Sequence, residues 1–397
     1  TEDRTAPHRD RTATVSATVS ATVSAPPADH SALFPRTAGA GLTGVWRSSV
    51  SLGDLDGDQN PDILVAGYDG SSAATEIYEN KGGFSFNTVI STLADVQFAS
   101  SSLGDLDGDG DLDMVIAGRD DSGETAVIYK NKGYFSFSSV SAGLTGVKES
   151  SSSLGDVDGD GDLDLLLAGE HAATPTTTLY WNKGNLNFDA AGTSLKGIRR
   201  GSVSMGDVGS DGDLDILLTG LHDPQDDIEN GIAQLYRNDG NGSFTSAGAG
   251  LTEVSESSSN FGDVDNDGDL DLMIAGDDNL SNTTATMYVK EPPLGLTEKS
   301  AGLTGVEKAS SSFGDVDRDG DLDLLLSGEK EDGSTVTTLY INDGEGNFSP
   351  AGAGLVNVHS GSCRFGDLDG DNDLDLVLTG KDGNRTPRAV VYENQLF

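Results

Sequence analysis

Short apolar and polar stretches alternate along this chain in a unit that recurs over most of its length. In one copy, the Ser-rich stretch Ser150 to Leu154 leads into an acidic loop, and the apolar run Leu165 to Ala168 follows directly. Polar and apolar residues then alternate from Thr176 to Trp181, and a further short stretch begins at Phe188. Runs of this length and pattern are typical of β-strands, so each unit is predicted to contain four strands.

A Gly-Asp pair opens the acidic loop of every unit, and successive pairs lie 51, 51, 51, 56, 52 and 52 residues apart. This period is close to that of one β-propeller blade and too long for a nonapeptide β-roll. The second strand is wholly apolar and therefore needs cover on both faces, as between two blades. The pattern predicts an all-β fold, a seven-bladed β-propeller of four-stranded blades. The seven pairs are Gly53-Asp54, Gly104-Asp105, Gly155-Asp156, Gly206-Asp207, Gly262-Asp263, Gly314-Asp315 and Gly366-Asp367.

The last unit reaches Phe397 just after its third strand, which leaves one strand of that blade to be supplied from elsewhere. Near the start, Leu33-Phe34 precedes the stretch Leu42 to Val45, which resembles the linker Leu144 to Val147 between later units. We therefore expect the segment around Phe34 to complete the last blade, which removes an exposed sheet edge and ties the chain ends together.

Residues 1–30 differ from the rest, because the tetrapeptide Thr-Val-Ser-Ala cycles from Thr14 to Ala25 before Pro26-Pro27. Such a segment has too little apolar surface to offset its ordering entropy, and we predict a disordered leader. A glycosylated spacer is the alternative. The propeller is predicted to span residues 31–397.

The formal net charge of −42 is mostly concentrated in the acidic loops, which hold 33 of the 66 acidic residues. The other 33 acids face 24 basic residues, so adaptation to high salt is a secondary explanation. There is no basic patch, and nucleic acid is not an expected partner. The sequence contains no apolar run of 18 residues, and no membrane span is expected.

Within each nine-residue loop, acids at positions one, three, five and nine bring several oxygen atoms around one point. In the third unit these are Asp156, Asp158, Asp160 and Asp164, together with the backbone carbonyl of Asp162. Hard oxygen ligands in a tight loop suit Ca²⁺, whereas Mg²⁺ prefers fewer protein ligands and keeps its waters. Asp and Gly also favour plain turns, but a plain turn does not require repelling carboxylates at the same offsets in every copy.

Six or seven Ca²⁺ sites are predicted. In the fourth unit Gly209 replaces the third-position Asp, so that site is expected to be weak or empty. Loop by loop, the predicted metal-binding residues are Asp54, Asp56, Asp58, Asn60 and Asp62; Asp105, Asp107, Asp109, Asp111 and Asp113; Asp156, Asp158, Asp160, Asp162 and Asp164; Asp207, Asp211, Asp213 and Asp215; Asp263, Asp265, Asp267, Asp269 and Asp271; Asp315, Asp317, Asp319, Asp321 and Asp323; and Asp367, Asp369, Asp371, Asp373 and Asp375.

One tyrosine per unit occupies the same repeat position. These residues are predicted to pack between blades, with sugar-stacking platforms as the alternative. They are Tyr78, Tyr129, Tyr180, Tyr236, Tyr288, Tyr340 and Tyr392.

The Phe-Gly pairs before several loops, as in Phe261-Gly262 and Phe313-Gly314, the nine-residue acidic loop and the following apolar strand resemble FG-GAP/VCBS repeats. That resemblance implies the seven-bladed propeller of integrin α-subunit head regions, with Ca²⁺ in several blades, and similar propellers of secreted lectins and bacterial surface proteins. All seven units carry the loop, and the Gly-Ala-Pro end of the motif is absent, as in Ala168-Gly169-Glu170. A free-standing bacterial or lectin-like propeller is therefore the closer match.

The resemblance places partner binding opposite the metal loops or between blades, where the linkers between units lie. Their cations and aromatic residues can receive an acidic glycan or a protein carboxylate; an ordinary solvated surface is the alternative. The candidate ligand-binding residues are Trp46, Arg47, Phe98, Lys148, Arg199, Arg200, Lys308 and His359.

Catalytic signals are weak, because the five histidines share no spacing and no zinc motif is present. The sequence therefore favours a secreted or cell-surface, monomeric adhesion or lectin-like module without enzymatic activity, in which Ca²⁺ is structural and the ligand is a glycan or a protein. The alternative is a carbohydrate-active enzyme, a polysaccharide lyase or hydrolase on a propeller scaffold.

Overall fold

The computed structural model describes residues 33–38, 41–89, 92–223, 230–248, 250–291 and 295–395. Over these residues the fold is all-β, without an α-helix. No helical segment of the length and apolar character needed to cross a bilayer occurs in the described ranges. The predicted leader and Phe397 lie outside the described residues.

Each sequence repeat forms four antiparallel strands, in the order that the polarity pattern predicts. The first strands are β2 (Trp46–Gly53), β6 (Gln97–Gly104), β10 (Lys148–Gly155), β14 (Arg199–Gly206), β18 (Val254–Gly262) and β22 (Glu307–Gly314), and the seventh is divided into β26 (Val358–His359) and β27 (Cys363–Gly366). The second strands are β3 (Asp62–Tyr68), β7 (Asp113–Asp120), β11 (Asp164–His171), β15 (Asp215–Leu221), β19 (Asp271–Asp278), β23 (Asp323–Glu329) and β28 (Asp375–Asp382).

The outer half of each repeat consists of its third and fourth strands. The third strands are β4 (Ala73–Asn80), β8 (Gly123–Asn131), β12 (Thr174–Asn182), β16 (Gly231–Asn238), β20 (Thr283–Glu291), β24 (Thr335–Asn342) and β29 (Pro387–Glu393). The fourth strands are β5 (Phe86–Val89), β9 (Phe137–Val140), β13 (Phe188–Ala190), β17 (Phe244–Ser246), β21 (Gly295–Lys299) and β25 (Phe348–Ala351). The edge of the last repeat is β1 (Arg36–Ala38), which pairs with β29.

The strands of each repeat pair in sequence order as a meander, and most repeats form one four-stranded sheet. In the fourth and fifth repeats a single residue pair, Ile232 with Val254, joins β16 to β18 and merges two such units into an eight-stranded sheet. Connections within a repeat are short, so each acidic loop and each hairpin turn is held by two paired strands.

Apolar side chains bury themselves between successive repeats. Within the described residues there are seven buried clusters; one, for example, combines Val115 and Ile128 of the second repeat with Leu165 and Leu167 of the third. The second strands are buried on both faces, as their unbroken apolar runs predict. Burial of each Leu, Ile or Val side chain contributes about 1.5–3 kcal/mol to folding.

The repeated tyrosines belong to these clusters. All seven are buried, and the hydroxyl of each accepts a hydrogen bond from a linker N–H, as Tyr78 does from Thr43 at 2.7 Å. The corresponding donors to Tyr129 and Tyr180 are the N–H groups of Ala94 and Thr145. The packing interpretation is therefore correct, and the sugar-platform alternative is wrong, because the rings are covered.

The first repeat also contacts the last. Leu33 and Phe34 are buried against the last repeat, where the Phe34 and Tyr392 rings meet edge to face at 6.4 Å. One buried cluster combines Val50 and Ile63 of the first repeat with Val377 of the seventh.

Candidate functional site

The acidic loops connect the first strand of each repeat to the second, at one end of this strand pair. In the third repeat, Gly155 pairs with Asp164, so the loop is closed by the last residue of β10 and the first of β11. The loop folds around its first aspartate: in the first repeat, Asp54 accepts hydrogen bonds from the N–H groups of Gly57, Asp58 and Gln59. We refer to this side of the repeats as the loop end.

The ninth-position aspartate anchors each loop from within the sheet. Asp62 is fully buried; its Oδ2 accepts from the N–H of Leu55 at 2.8 Å and its Oδ1 from the N–H of Asn80 at 2.8 Å. The equivalent pair of bonds occurs in every repeat, although Gly209 replaces the second-position donor in the fourth. This residue is therefore a structural clamp as well as a candidate metal ligand, a role that the sequence pattern did not reveal.

Burial of these clamp carboxylates makes their charge costly. Burial, with a smaller contribution from neighbouring aspartates, raises the pKa of Asp62 and Asp164 to about 7 and that of Asp323 and Asp375 to about 8. The backbone N–H groups that donate hydrogen bonds to these carboxylates lower the same pKa values. A divalent cation beside such a group offsets the cost of its negative charge.

In each of several loops, three carboxylate oxygens lie within 4.8 Å of one another and so surround one point. In most of these groups the ligands come from positions one, three and nine, whereas in the first loop they come from positions one, three and five. In the third loop the fifth-position Asp160 is exposed and lies outside the group, whereas the fifth-position Asp58 belongs to the group of the first loop. The groups include Asp54, Asp56 and Asp58; Asp105, Asp107 and Asp113; Asp156, Asp158 and Asp164; Asp263, Asp265 and Asp271; and Asp315, Asp317 and Asp323.

Buried oxygen atoms in these loops fit a cation. The Oδ1 atoms of Asp107, Asp158, Asp263 and Asp265 are buried and have no hydrogen-bond partner among the described residues. An unpartnered buried carboxylate oxygen is costly, and a hard cation bound by oxygen ligands satisfies several at once. The donor set is compatible with Ca²⁺.

The fourth loop is built differently. A side chain at Gly209 would clash with Arg237, because its Cβ would lie 2.2 Å from Nη2 of the guanidinium. The same Nη2 contacts Oδ2 of Asp211 at 2.7 Å. A guanidinium therefore occupies the position of the missing third carboxylate and brings its own positive charge to the loop. In the second repeat Lys130, at the equivalent position, contacts Asp107 and Asp109.

The predicted ligand-binding residues lie at the other end of the same strands. In the third repeat, Lys148 pairs with Glu170, seven residues along β10 from Gly155; this separation is roughly 23 Å at about 3.3 Å per residue. We define the linker end as seven residue pairs, called linker pairs, together with the second-strand residue that pairs with the first member of each. The linker pairs are residues 46–47, 97–98, 148–149, 199–200, 255–256, 307–308 and 359–360. Those partners are Tyr68, Arg119, Glu170, Leu221, Asp277, Glu329 and Lys381.

The second residue of every linker pair has a left-handed backbone conformation. Its φ is near +50° in all seven repeats, beside a shift in strand pairing, yet none of the seven is glycine. This conformation costs a non-glycine residue on the order of 1 kcal/mol. The seven residues are Arg47, Phe98, Glu149, Arg200, Glu256, Lys308 and Ser360.

Most cations of the linker end are paired with carboxylates of the same or a neighbouring repeat. Lys148 contacts Glu170 at 2.7 Å, and Arg200 contacts Glu149 at 2.8 Å and Glu256 at 3.6 Å. Burial raises the pKa of Glu256 to about 7 even though Arg200 opposes the shift. Further pairs join Arg199 to Glu170 and Glu149, and Lys308 to Glu307 and Glu329. His359 lies 3.6 Å from Glu329, but burial lowers its pKa and so disfavours its charged form.

The first repeat carries a different arrangement, a stack of cations and aromatic rings. The guanidinium carbon of Arg47 lies 4.1 Å from the ring centroids of both Trp46 and Phe98. Nζ of Lys381 lies 3.9 Å from the Trp46 ring, which also contacts Tyr68 edge to face. Lys381 and Tyr68 were absent from the predicted set. Both lie fourteen residues after the first loop aspartate of their repeats, Asp367 and Asp54, so a comparison of repeat positions would have found them.

The repeats match a known family. The model of the FG-GAP-like repeat matches residues 54–116, 105–167, 156–218 and 315–378, which together make up more than half of the chain. The chain belongs to the FG-GAP-like repeat family. A comparison with curated protein sequences gave no significant match.

Solved structures are similar to this chain only at a distance. A Penicillium chrysogenum α-L-arabinanase complexed with arabinobiose is 12% identical, with a TM-score of 0.47 over 89% of this chain and 93% of that one. The V. cholerae biofilm matrix protein Bap1 is 13% identical, with a TM-score of 0.41 over 87% of this chain and 76% of that one. A thermostable family-43 glycoside hydrolase is 12% identical, with a TM-score of 0.36 over 78% and 93% of the two chains. Similarity at this level assigns neither a ligand nor an activity to the present chain.

Proposed function

We propose that this chain is a seven-bladed, closed β-propeller that binds Ca²⁺ at its loop end and recognises a glycan or protein ligand at its linker end. Closure is supported by the pairing of β1 with β29 and by direct contacts of β2 with β27 and β28. The backbone N–H of Arg47 donates to the carbonyl of Ser360 at 2.6 Å, which continues the same chain of contacts from the last repeat to the first.

The observation that carries the calcium assignment is the convergence of carboxylate oxygens within 4.8 Å, several of them buried and unpartnered. Asp263, Asp265 and Asp271, for example, would hold one ion between two strands. The ion would neutralise carboxylates that otherwise repel one another and would fix the loop to the sheet. At a free Ca²⁺ concentration 100 times the dissociation constant, each site stabilises the fold by about 2.7 kcal/mol.

The proposed role of calcium is structural, and the proposed location is outside the cell or on its surface. Calcium sites of extracellular modules are weak enough to require millimolar concentrations. Ligand recognition is assigned to the linker end, because six of its seven strained positions carry charged or aromatic side chains where glycine would cost least. The chain is proposed to act as a monomer without nucleic-acid partners.

Calcium removal tests the structural role. After dialysis against EDTA, verified by elemental analysis, the melting temperature should fall, and added Ca²⁺ should restore it. An unchanged melting curve after complete removal would refute structural calcium. Elemental analysis of the reloaded protein should give about six ions per chain, from the loops that retain the third-position aspartate.

Recognition is tested on a glycan array combined with product analysis. A retained glycan of unchanged chain length supports a binding module. Release of new reducing ends or of unsaturated products would show that the proposed absence of catalysis is wrong.

A second candidate, a carbohydrate-active enzyme, is favoured by one observation at the linker end. Burial, followed by Glu307 and Asp278, raises the pKa of Asp277 to about 6, and its buried Oδ1 has no hydrogen-bond partner among the described residues. A carboxylic acid of this kind can donate a proton to a leaving group. If products form, Asp277→Asn should abolish them while leaving calcium binding intact; products that persist in this variant would exclude Asp277 as the acid.

A further inference from the structure

Charge pairing divides the linker end into two sectors. In the third to sixth repeats every predicted cation lies beside a carboxylate, as Lys148 does beside Glu170 and Lys308 beside Glu307. Arg199 and Arg200 pair with carboxylates of other repeats, whereas Lys148 and Lys308 make their shortest contacts within their own repeat. All four therefore already have an ion partner. They are poorly placed to bind a free ligand, because an incoming anion would have to displace an existing ion pair.

Arg47 is the exception among the predicted cations. Its guanidinium lies between the rings of Trp46 and Phe98, and it makes no hydrogen bond and no ion pair with any described residue. The two rings hold the guanidinium in place, while its N–H donors have no partner among the described residues and can bind a ligand. Arg47 is half-buried, which lowers its pKa, and Glu149 and Glu256 partly offset this shift.

A second cation without an ion partner also contacts Trp46. Lys381 contacts this ring at 3.9 Å and makes no ion pair within the described ranges. Arg119, exposed at the end of β7 opposite Gln97, adds a third. The seventh, first and second repeats thus bring three basic side chains to this end that make no ion pair with any described residue, in a chain whose net charge is −42.

Unpaired cations in a strongly acidic protein require an explanation, since the carboxylates to neutralise them are abundant. A guanidinium presents parallel N–H donors that match the two oxygens of a carboxylate, and stacking on aromatic rings fixes its orientation before the ligand arrives. Little side-chain entropy is then lost on binding. The left-handed backbone at Arg47, with φ of 51°, sets the same orientation at the cost of strain.

We propose that Arg47, supported by Lys381, binds the carboxylate of a uronic-acid residue in an acidic polysaccharide. This inference rests on the proposed recognition function and names its ligand class and anchoring residue. Arg47 would form the paired hydrogen bonds, and Lys381 would add a second positive charge beside the same ring. Trp46 and Phe98 act as positioning residues, because each ring contacts the Arg47 guanidinium.

Surface chemistry favours a saccharide over an acidic peptide. A stable protein interface needs an apolar core, and the only large hydrophobic side chains that are exposed among the described residues are Tyr134 and Leu280. Tyr134 lies in the turn before β9, at the loop end, and Leu280 lies in the fifth repeat. The cationic sector offers charged and polar contacts instead, which suit a hydroxylated, carboxylate-bearing chain.

The test is an array of uronate-bearing glycans, the same glycans after carboxyl reduction, and poly-L-glutamate, probed with the calcium-loaded full chain. Wild-type protein should retain at least one uronate-bearing glycan and none of the reduced counterparts. Arg47→Met should weaken this binding by about tenfold to a hundredfold, and Lys381→Gln by less, since a charged hydrogen-bonded contact contributes about 1.5–3 kcal/mol. Arg47→Lys keeps the charge, loses the paired geometry and should be intermediate.

Matched controls separate this proposal from loss of folding and from loss of the general function. Lys132→Gln removes one charge from an exposed residue in the turn after β8, at the loop end, and should leave binding unchanged. Every variant should keep the calcium-dependent melting temperature of the wild type. The proposal is overturned if no uronate-bearing glycan binds, if poly-L-glutamate is bound instead, or if Arg47→Met binds as well as wild type. If a neutral glycan is retained and its retention does not change on substitution of Arg47, this inference is overturned but the recognition function is supported.

Discussion

The side-chain amide of Asn80 donates a hydrogen bond to the backbone carbonyl of Leu368 at 2.7 Å, across 288 residues of sequence. The same amide also bonds the carbonyl of Pro61 within its own repeat. Equivalent asparagines bridge successive repeats elsewhere, as Asn131 does to Leu55 at 2.9 Å. The contact between the first and last repeats therefore uses the same hydrogen bond as contacts between sequence neighbours.

Replacement of Asn80 by Ala tests this link. The substitution leaves two carbonyls without their donor and should lower the free energy of unfolding by about 2 kcal/mol. Asn241→Ala is the control, since Asn241 is exposed and bonds only within its own turn. Chemical denaturation in the presence of Ca²⁺ measures both. Equal stability of the two variants would contradict a role for Asn80 in joining the chain ends.

Phe34→Ala tests the contribution of the N-terminal segment. Phe34 is 3% exposed and packs against Tyr392 of the last repeat. Loss of a buried Phe side chain costs about 3–5 kcal/mol. Tyr134→Ala, at a residue that is 86% exposed, should leave stability unchanged. If both variants melt at the wild-type temperature, the segment around Phe34 does not stabilise the fold.

The fourth loop offers a gain-of-function test. Gly209→Asp combined with Arg237→Ala restores the third-position carboxylate and removes the guanidinium that occupies its place. The double variant should bind one more Ca²⁺ ion per chain than wild type, as counted by elemental analysis after equilibrium dialysis. Arg237→Ala alone should bind the wild-type number, because the loop still lacks the ligand. An unchanged count in the double variant would show that other features of this loop exclude the ion.

Glu256 makes stability depend on pH. Burial raises its pKa from 4.5 to about 7 in the folded protein, among Arg200, Glu149, Lys308 and Glu307. The folded state therefore holds this proton more tightly than the unfolded state. The resulting stabilisation is present below about pH 4.5 and is lost as the pH rises through 7.

Glu256→Gln removes this dependence. Relative to wild type, the variant should gain about 2 kcal/mol of stability between pH 5 and pH 8, with Ca²⁺ present throughout. Glu331→Gln, at an exposed residue, should show no such trend. Melting temperatures of the three proteins at several pH values provide the measurement, and parallel curves for Glu256→Gln and wild type would exclude a raised pKa at Glu256.

Much of this architecture follows from local sequence. For the third repeat, the predicted strand Ser150 to Leu154 lies within Lys148–Gly155, and Leu165 to Ala168 lies within Asp164–His171. Periodicity decides these elements, since an unbroken apolar run must be covered on both faces and a Ser-rich strand need not be. The spacing of acids within the loops also predicts which carboxylates can converge, because only a few backbone bonds separate them.

Only the tertiary structure reveals the contacts between residues that are far apart in the sequence. The sequence alone could not tell that Arg199 and Arg200 are neutralised by Glu149, fifty residues away along the chain, whereas Arg47 is held only by aromatic rings. It marked Gly209 as a missing ligand but could not reveal that Arg237 takes its place. Repeat spacing and loop chemistry depend on residues that are close together in the sequence. Charge pairing between repeats depends instead on which strands pack together, and those strands are far apart in the sequence.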